Sequence, residues 1–407
     1  MPWKEICPVD ERARFVLEYL RGELSMSELC RTYEISRKTG YKWSDRFKQH
    51  GHADLIDRRR ACTSHPNAVA EEIVLLLIGA RKQHPFWGPR KILAWLAAKY
   101  PRLDLPVAST VGVILKRHGL TKPRRSRQRA KPYTEPFLGC DAPNAVWCAD
   151  FKGSFALGNS RRCNPLTISD AYSRYLLRCE GLSRTDEGQV RPIFESAFCE
   201  FGRPLAIRTD NGPPFATIAK AGLSRLAIWW IKLGIRPERI APGKPQQNGR
   251  HERMHRTLKA ETTKPPARTL SEQQLVFDRF RREYNEERPH EALGQRPPWS
   301  AYEASNRRYP IRLQEPEYPN GYRVRKVRDD GTLNWQGRAL YVAEALAGEY
   351  VGIEEISNDA WRVYFADVAL GLIADHRLHR DATAWPSPTT PVNTRNPEPK
   401  VLPMRPV

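Results

Sequence analysis

Trp147-Cys148-Ala149-Asp150-Phe151-Lys152-Gly153 places one carboxylate inside an apolar, strand-like run. A charge there is expensive unless something offsets it. Two further stretches deliver an acid in a similarly marked setting. Arg208-Thr209-Asp210-Asn211-Gly212 ends a second predicted strand at an Asn-Gly turn, where Asp is also a common turn former. Asn248-Gly249-Arg250-His251-Glu252-Arg253 follows a Pro/Gly/Gln loop and opens a predicted helix, where a solvated glutamate is the competing reading. Carboxylates carried by three separate elements can meet only in a folded site. Hard divalent ions such as Mg²⁺ or Mn²⁺ are held by a few carboxylates plus substrate phosphate oxygens. Two such ions can clamp the attacking and leaving oxygens of an in-line phosphoryl transfer.

Around these stretches, residues 137–305 alternate strand and helix signals. Strands are predicted over 145–157, 165–180 and 205–210, with a short one within 234–241. Helices are predicted over 187–201, 219–233, 246–261 and 271–285. That alternation argues for an α/β domain with a mixed sheet covered by helices. Beyond it, short strands at close spacing between 320 and 376 suggest a small β-barrel within residues 306–385. The Pro- and Thr-rich tail over 386–407 is expected to be disordered.

The N-terminal third reads as all-α. Residues 1–60 hold three short helices, the second capped by Ser25 or Ser27 and the third by Ser36. In the third, Trp43 and Phe47 lie four apart and can face a core, while Arg37, Lys38, Lys42 and Arg46 fall elsewhere. This is a helix-turn-helix pattern with a basic second helix suited to a DNA major groove. Residues 61–120 repeat a three-helix pattern, interrupted at Pro85-Phe86-Trp87-Gly88-Pro89, as a second helix-turn-helix candidate. Residues 121–136 form a basic linker in which Lys122, Arg124, Arg125 and Arg127 can neutralise phosphates.

The chain of 407 residues carries a formal charge of +21, which favours a polyanionic partner and says nothing of fold. The imbalance concentrates early: 27 of the 67 Lys/Arg but 14 of the 46 Asp/Glu lie within residues 1–136. Eight cysteines make no C-x-x-C pair and no zinc spacing with histidines, as for incidental thiols in a reducing compartment. The N-terminus lacks an apolar signal core, and the apolar run 73–80 is too short to span a bilayer, so a soluble intracellular protein is expected.

In this order the parts resemble bacterial insertion-sequence transposases of the DDE superfamily, relatives of retroviral integrases. The segments 147–153, 209–212 and 242–259 carry the resemblance, together with Tyr284-Asn-Glu-Glu-Arg-Pro-His290 and the following Ala292-Leu-Gly and Pro297-Pro298. The resemblance implies an RNase H-like catalytic core, with Asp150, Asp210 and Glu252 as catalytic and metal-holding residues for Mg²⁺ or Mn²⁺, as two ions. It implies cleavage at the inverted repeats of element ends and transfer of a 3′-hydroxyl into target DNA. It also implies a dimer or higher multimer and a place in the bacterial cytoplasm, at the nucleoid. Arg256 and Lys259 match basic positions that contact DNA in that family. Asn248, Glu252, Arg256 and Lys259 share one helical face, and Lys244 and Gln246 in the preceding loop are further expected DNA contacts. Asp210 and Glu252 are separated by 41 residues, more than the commonest family spacing. The integrase-type zinc module of paired His and Cys is absent from the sequence. A structural hydrogen-bonding role is expected for Asp170, and His251 is expected to point away from Glu252. A catalytically silent DNA-binding regulator derived from a transposase and a nuclease that hydrolyses without joining remain as alternatives.

Overall fold

The computed structural model describes residues 8–57, 68–121, 139–216, 223–240, 249–357, 360–375 and 377–379. The chain separates into two compact units, 1–70 and 71–407. The linker residues Lys122, Arg124, Arg125 and Arg127, the loop residues Lys244, Gln246 and Asn248, and the tail 386–407 lie outside the described residues.

The first unit packs helices α1 (Pro8–Arg21), α2 (Met26–Thr32) and α3 (Arg37–His50), closed by a 3-10 turn over Gly51–Leu55. Its core gathers Phe15, Val16, Leu29, Cys30, Trp43 and Leu55. Ser25 and Glu28 form a reciprocal capping box at α2, and the Ser36 hydroxyl accepts from the Thr39 N–H at α3. A Cβ on Gly40 would come within 2.7 Å of Cys30 Sγ and 2.9 Å of Met26 Sδ, so any larger residue there would displace the side chains packed between α2 and α3.

In the second unit, α4 (Glu71–Gln83), α5 (Pro89–Lys99) and α6 (Ala108–Arg117) form a three-helix segment. It is fastened to the helices that follow through His84, whose Nδ1 lies 2.8 Å from the Glu283 carboxylate. The central sheet comprises β1 (Val146–Phe151), β2 (Phe155–Ala156), β3 (Arg162–Asp170), β4 (Leu176–Leu182), β5 (Ala206–Thr209) and β6 (Arg236–Arg239). Its main order is β4-β3-β1-β5-β6, with β2 paired to the first residues of β3. β1 runs antiparallel to β3 and parallel to β5, and β5 is parallel to β6, which makes the sheet mixed.

Four helices cover this sheet: α7 (Glu187–Phe201), α8 (Arg225–Lys232), α9 (Gly249–Thr262) and α10 (Leu270–Glu286). Phe194 and Phe198 of α7 pack with Trp229 and Trp230 of α8 against Trp147, Ala149 and Ile168. Met254 and Leu258 of α9 pack with Phe277 and Phe280 of α10 in a second cluster with Cys163 and Cys179. The predicted strands over 145–157 and 165–180 each divide in two. The second breaks at a turn where Asp170, buried, accepts from the N–H groups of Asn144 and Ser173 and from the Ser173 hydroxyl. The helix predicted over 219–233 is shorter, because Ser224 caps it at the Ala227 N–H and donates its hydroxyl proton to Phe215 O.

The C-terminal strands correct the expectation of a barrel. β7 (Arg323–Lys326), β10 (Tyr350–Ser357), β11 (Ala360–Phe365), β12 (Val368–Ala374) and β13 (Arg377–His379) form an open sheet in the order β13-β12-β11-β10-β7. Among the described residues β8 (Thr332–Trp335) and β9 (Arg338–Tyr341) pair only with each other, joined by Gln336-Gly337, both at positive φ, as a two-residue hairpin requires. The apolar residues of hairpin and sheet do not need closure to be buried. Leu333, Trp335 and Leu340 cluster with Ile353, Val363 and Phe365, and the same core continues onto Ala227, Ile228 and Ile231 of α8. Lys232 adds an ion pair to Glu349 at 2.9 Å.

Candidate active site

Strand alternation sets the first acid. Val146, Cys148 and Asp150 share one face of β1, while Trp147 and Ala149 turn to the α7–α8 core on the other. Cys148 stands opposite Arg208 on the neighbouring parallel strand. Asp150 and Asp210 each follow that pair by two residues, so the two acids emerge side by side at the same end of adjacent strands. Burial, then the charge of Asp210, with Glu252 adding to both, pushes the Asp150 carboxyl up to about 7. The three acids therefore share one electrostatic environment. Burial also raises Asp210, against the Gly212 N–H donated to its Oδ1 at 3.2 Å. The Asn211 side chain donates to Ile240 O at 3.0 Å and holds this loop to the end of β6.

Glu252 sits in the first turn of α9, a helix with two distinct faces. Glu252, Arg256 and Lys259 are exposed, whereas His251, Met254, His255 and Leu258 are buried. Thus His251 does point away from Glu252, as predicted. What the sequence did not reveal is what His251 and His255 do beneath the helix. The Thr167 hydroxyl donates to Asp150 O at 3.1 Å and lies 2.7 Å from His251 Nε2 and 2.6 Å from His255 Nε2. The Ser169 hydroxyl lies 3.0 Å from His251 Nδ1. With its one proton on Asp150 O, Thr167 must accept from both imidazoles, so each carries its proton on Nε2. His255 Nδ1 then presents a lone pair toward Asp150 Oδ2, 3.6 Å away. Burial keeps both rings neutral, taking His251 down to about 3 and lowering His255 further, the latter helped by His251 and Lys152.

Asp150, His251 and His255 offer ligand atoms within 4.8 Å of one another. Both nitrogens of His251 are engaged by hydroxyls, so the imidazoles serve as a scaffold under Asp150. The oxygen donors of Asp150, Asp210 and Glu252 suit a hard divalent cation. The fit rests on this structure's own electrostatics. Burial first, then the Asp210 charge and last that of Glu252, keep the Asp150 proton close to neutrality.

Because Asp150 must lose that proton to hold a cation, Mn²⁺ affinity measured by calorimetry is expected to rise about tenfold per pH unit below 7 and to level off above it. A flat profile between pH 5.5 and 8 would show that Asp150 is not a ligand. In the metal-free protein the sign of the stability contribution follows as well. The folded acid binds its proton more tightly than the unfolded chain, so this contribution falls as pH rises from the ordinary carboxylate range to about 7.

Of the N-terminal cations, Arg37, Lys38 and Lys42 are exposed on α3, and Arg46 is half-buried. Lys42 and Arg46 both lie over the Trp43 ring, at 4.6 and 4.9 Å from its centre, so their stems pack locally while the charges stay at the surface. The described cysteines, Cys30, Cys140, Cys148, Cys163, Cys179 and Cys199, are free thiols, all but Cys199 buried. No described helix is long and apolar enough to cross a membrane.

Comparisons with known proteins follow the same order along the chain. A helix-turn-helix domain family matches residues 11–61, and a homeodomain-like domain family matches 39–115. Two integrase core domain families match residues 141–245 and 233–298. The C-terminal domain of IS481 family transposases matches 322–379. A 39.2 kDa protein of insertion element IS476 from Xanthomonas euvesicatoria is 28% identical over 236 residues, covering 57% of this chain and 65% of its own length. A 31.7 kDa protein of insertion element IS407 from Burkholderia multivorans is 33% identical over 174 residues, covering 42% of this chain and 59% of its own. The chain thus spans just under two thirds of the length of these relatives. The HTLV-2 integrase catalytic core domain, solved with magnesium, is 17% identical, with 40% of this chain and 99% of that one covered, at a TM-score of 0.32.

Proposed function

Because the chain belongs to the bacterial insertion-sequence transposases with an integrase core domain, we propose that it cleaves DNA at the ends of its element and joins the freed 3′-hydroxyl to target DNA. The placement of Asp150 and Asp210 at the same end of adjacent parallel strands, with the charges of Asp210 and, last, Glu252 adding to the burial that drives the Asp150 carboxyl up to about 7, is the observation that supports this reading. The mixed sheet with helices on both faces supports an RNase H-like core.

In this reading the three acids hold divalent ions, Mg²⁺ or Mn²⁺, which when bound supply Lewis-acid stabilisation to the transferring phosphoryl group. Thr167, His251 and His255 fix the position of Asp150 from below. Arg256 and Lys259, on the exposed face of α9 with Glu252, pair with backbone phosphates of the DNA end. The first step breaks a phosphodiester P–O bond by water and leaves a 3′-hydroxyl. In the second, that hydroxyl's oxygen forms a new P–O bond with a target phosphate while the target's own 3′-oxygen leaves with the proton. One phosphodiester is made for one broken, so joining needs no external energy source. No covalent protein–DNA intermediate is required, and no Ser or Tyr nucleophile is sought. Helix α3, with Arg37, Lys38, Lys42 and Arg46, reads the terminal repeats, aided by the linker cations. Two ends must be held together for paired joining, so the working form is a dimer or larger, acting in the cytoplasm at the nucleoid.

The test is to incubate the protein with its own flanking DNA ends, a target plasmid, and Mg²⁺ or EDTA, then sequence the products. Joints that require Mg²⁺ are expected. Cut ends that never join would favour a nuclease, and sequence-specific binding without cleavage would favour a regulator.

A further inference from the structure

Between α5, α9 and the segment 284–292 lies a cavity of about 300 Å³ lined by the cations Lys91, Arg174, Arg253, Arg256 and Arg288, together with His290 and Glu291. We propose that this cavity is a binding pocket for a backbone phosphate of the DNA strand that reaches the acidic site. The inference rests on the proposed function for which strand it is, and goes beyond it in naming the pocket and its three-part construction.

Like charges do not gather without a reason. Two carboxylates stand nearby, and both are already engaged: Glu261 accepts from Arg288 at 2.7 Å, and Glu291 accepts from Arg90 at 3.2 Å. Arg174 donates to Ala171 O at 2.6 Å, and Lys91, Arg253 and Arg256 line the cavity with no other described carboxylate on its walls. Burial, then the Arg288 charge, and also Arg253, lower the Lys91 ammonium to about 8, against Glu261 and Glu291. An anion in the cavity would relieve that strain directly. His290 Nε2 is buried without a hydrogen-bond partner among the described residues.

Position supports the same occupant. Arg256 stands one helical turn beyond Glu252 on the exposed face of α9, so a strand with one phosphate in the cavity has its neighbours near the carboxylates. The volume suits a phosphodiester linkage and its sugar, not a folded polypeptide segment. Arg288 is fixed by Glu261 and by the nearby rings of Trp87 and Tyr284, each 6.0 Å from its guanidinium. One wall is therefore rigid, while Lys91 enters from the helical segment on the other side. This gives the Tyr284–His290 motif a role beyond ending the catalytic core: it builds the floor of a phosphate site.

The experiment measures binding of a random-sequence 30-base-pair duplex by fluorescence anisotropy, across a series of salt concentrations, for the full chain and for Lys91→Gln, Lys91→Arg and Arg253→Gln. Removing one cation that neutralises a phosphate is expected to reduce the slope of log K against log salt by about 0.9. Lys91→Gln and Arg253→Gln should each show that reduction with an unchanged melting temperature, and Lys91→Arg should restore the wild-type slope. Slopes unchanged in both glutamine variants would overturn the proposal, even if the wild-type protein cleaves and joins DNA. So would protection of Lys91 from acylation by inorganic phosphate but not by the duplex. A slope that depends on Lys91 in a protein that never cleaves would sustain the pocket and remove the transposase reading instead.

Discussion

Asp150→Asn is expected to eliminate Mg²⁺-dependent joining, by a factor on the order of 10³ or more, while DNA-end binding persists. Losing one carboxylate forfeits several kcal/mol of Lewis-acid stabilisation of the transferring group. Asp210→Asn and Glu252→Gln should behave alike. Asn keeps the shape of Asp150, and its backbone carbonyl still accepts from Thr167. The fold therefore survives, and a second consequence runs the other way. The half-buried carboxyl is pushed up to about 7 by its surroundings, so its ionised form opposes folding at higher pH. In EDTA at pH 8, Asp150→Asn should melt at a higher temperature than the wild type. With Mg²⁺ the order should narrow or reverse, because only the wild type gains from binding the ion. A variant that joins DNA normally would remove Asp150 from the site. One that is inactive and also less stable in EDTA would point to a structural role.

Glu238→Gln is the largest expected effect on stability. The Arg208 side chain is 1% exposed and Glu238 5% exposed, with guanidinium–carboxylate distances of 2.8 and 3.1 Å. Arg236 reaches the other oxygen of Glu238 at 2.6 Å. Removing the carboxylate's charge leaves a buried guanidinium without its counter-ion, at a cost of about 3–5 kcal/mol. Urea unfolding followed by tryptophan fluorescence would measure it. Arg208→Met with Glu238→Leu, which removes both charges, should recover much of the stability. If the single change costs less than about 1 kcal/mol, water reaches Arg208 and the pair is not sealed. The pair also bears on function, since Arg208 lies on β5 two residues before Asp210 and anchors the strand that presents it.

What could be read from the sequence was what local pattern controls. The apolar residues of α7, the Ser36 cap, the choice of Ser25 or Ser27 as the α2 cap, and the strand-end setting of Asp210 are each contained in a few adjacent residues, whereas Asp150, expected mid-strand, lies one residue from the end of β1. For Glu252, whose case from the sequence is the weakest of the three, the structure bears out only the exposed helical face shared with Arg256 and Lys259. What stayed hidden depends on distant pairing. The Thr167–His251–His255 cluster brings together residues 84 and 88 positions apart. The His251–His255 spacing of four was visible, but an apolar-faced histidine pair gives no sign of which strand it meets. The barrel expectation failed in the same way. Individual strands between 323 and 374 were correctly signalled, but nothing local tells an edge strand from a closing one. Here the hairpin β8–β9 buries its apolar side chains by lying over the sheet rather than joining it.

The shared core between α8 and the C-terminal sheet has a bearing on how such elements decay. Ala227, Ile228 and Ile231 are covered by the last strands of the chain. A gene copy cut short by a stop codon before residue 322 would therefore yield more than a shortened enzyme. Helix α8 would display a greasy face to the cell and invite proteolysis. Such a truncated copy is expected to be cleared by proteolysis faster than the full chain.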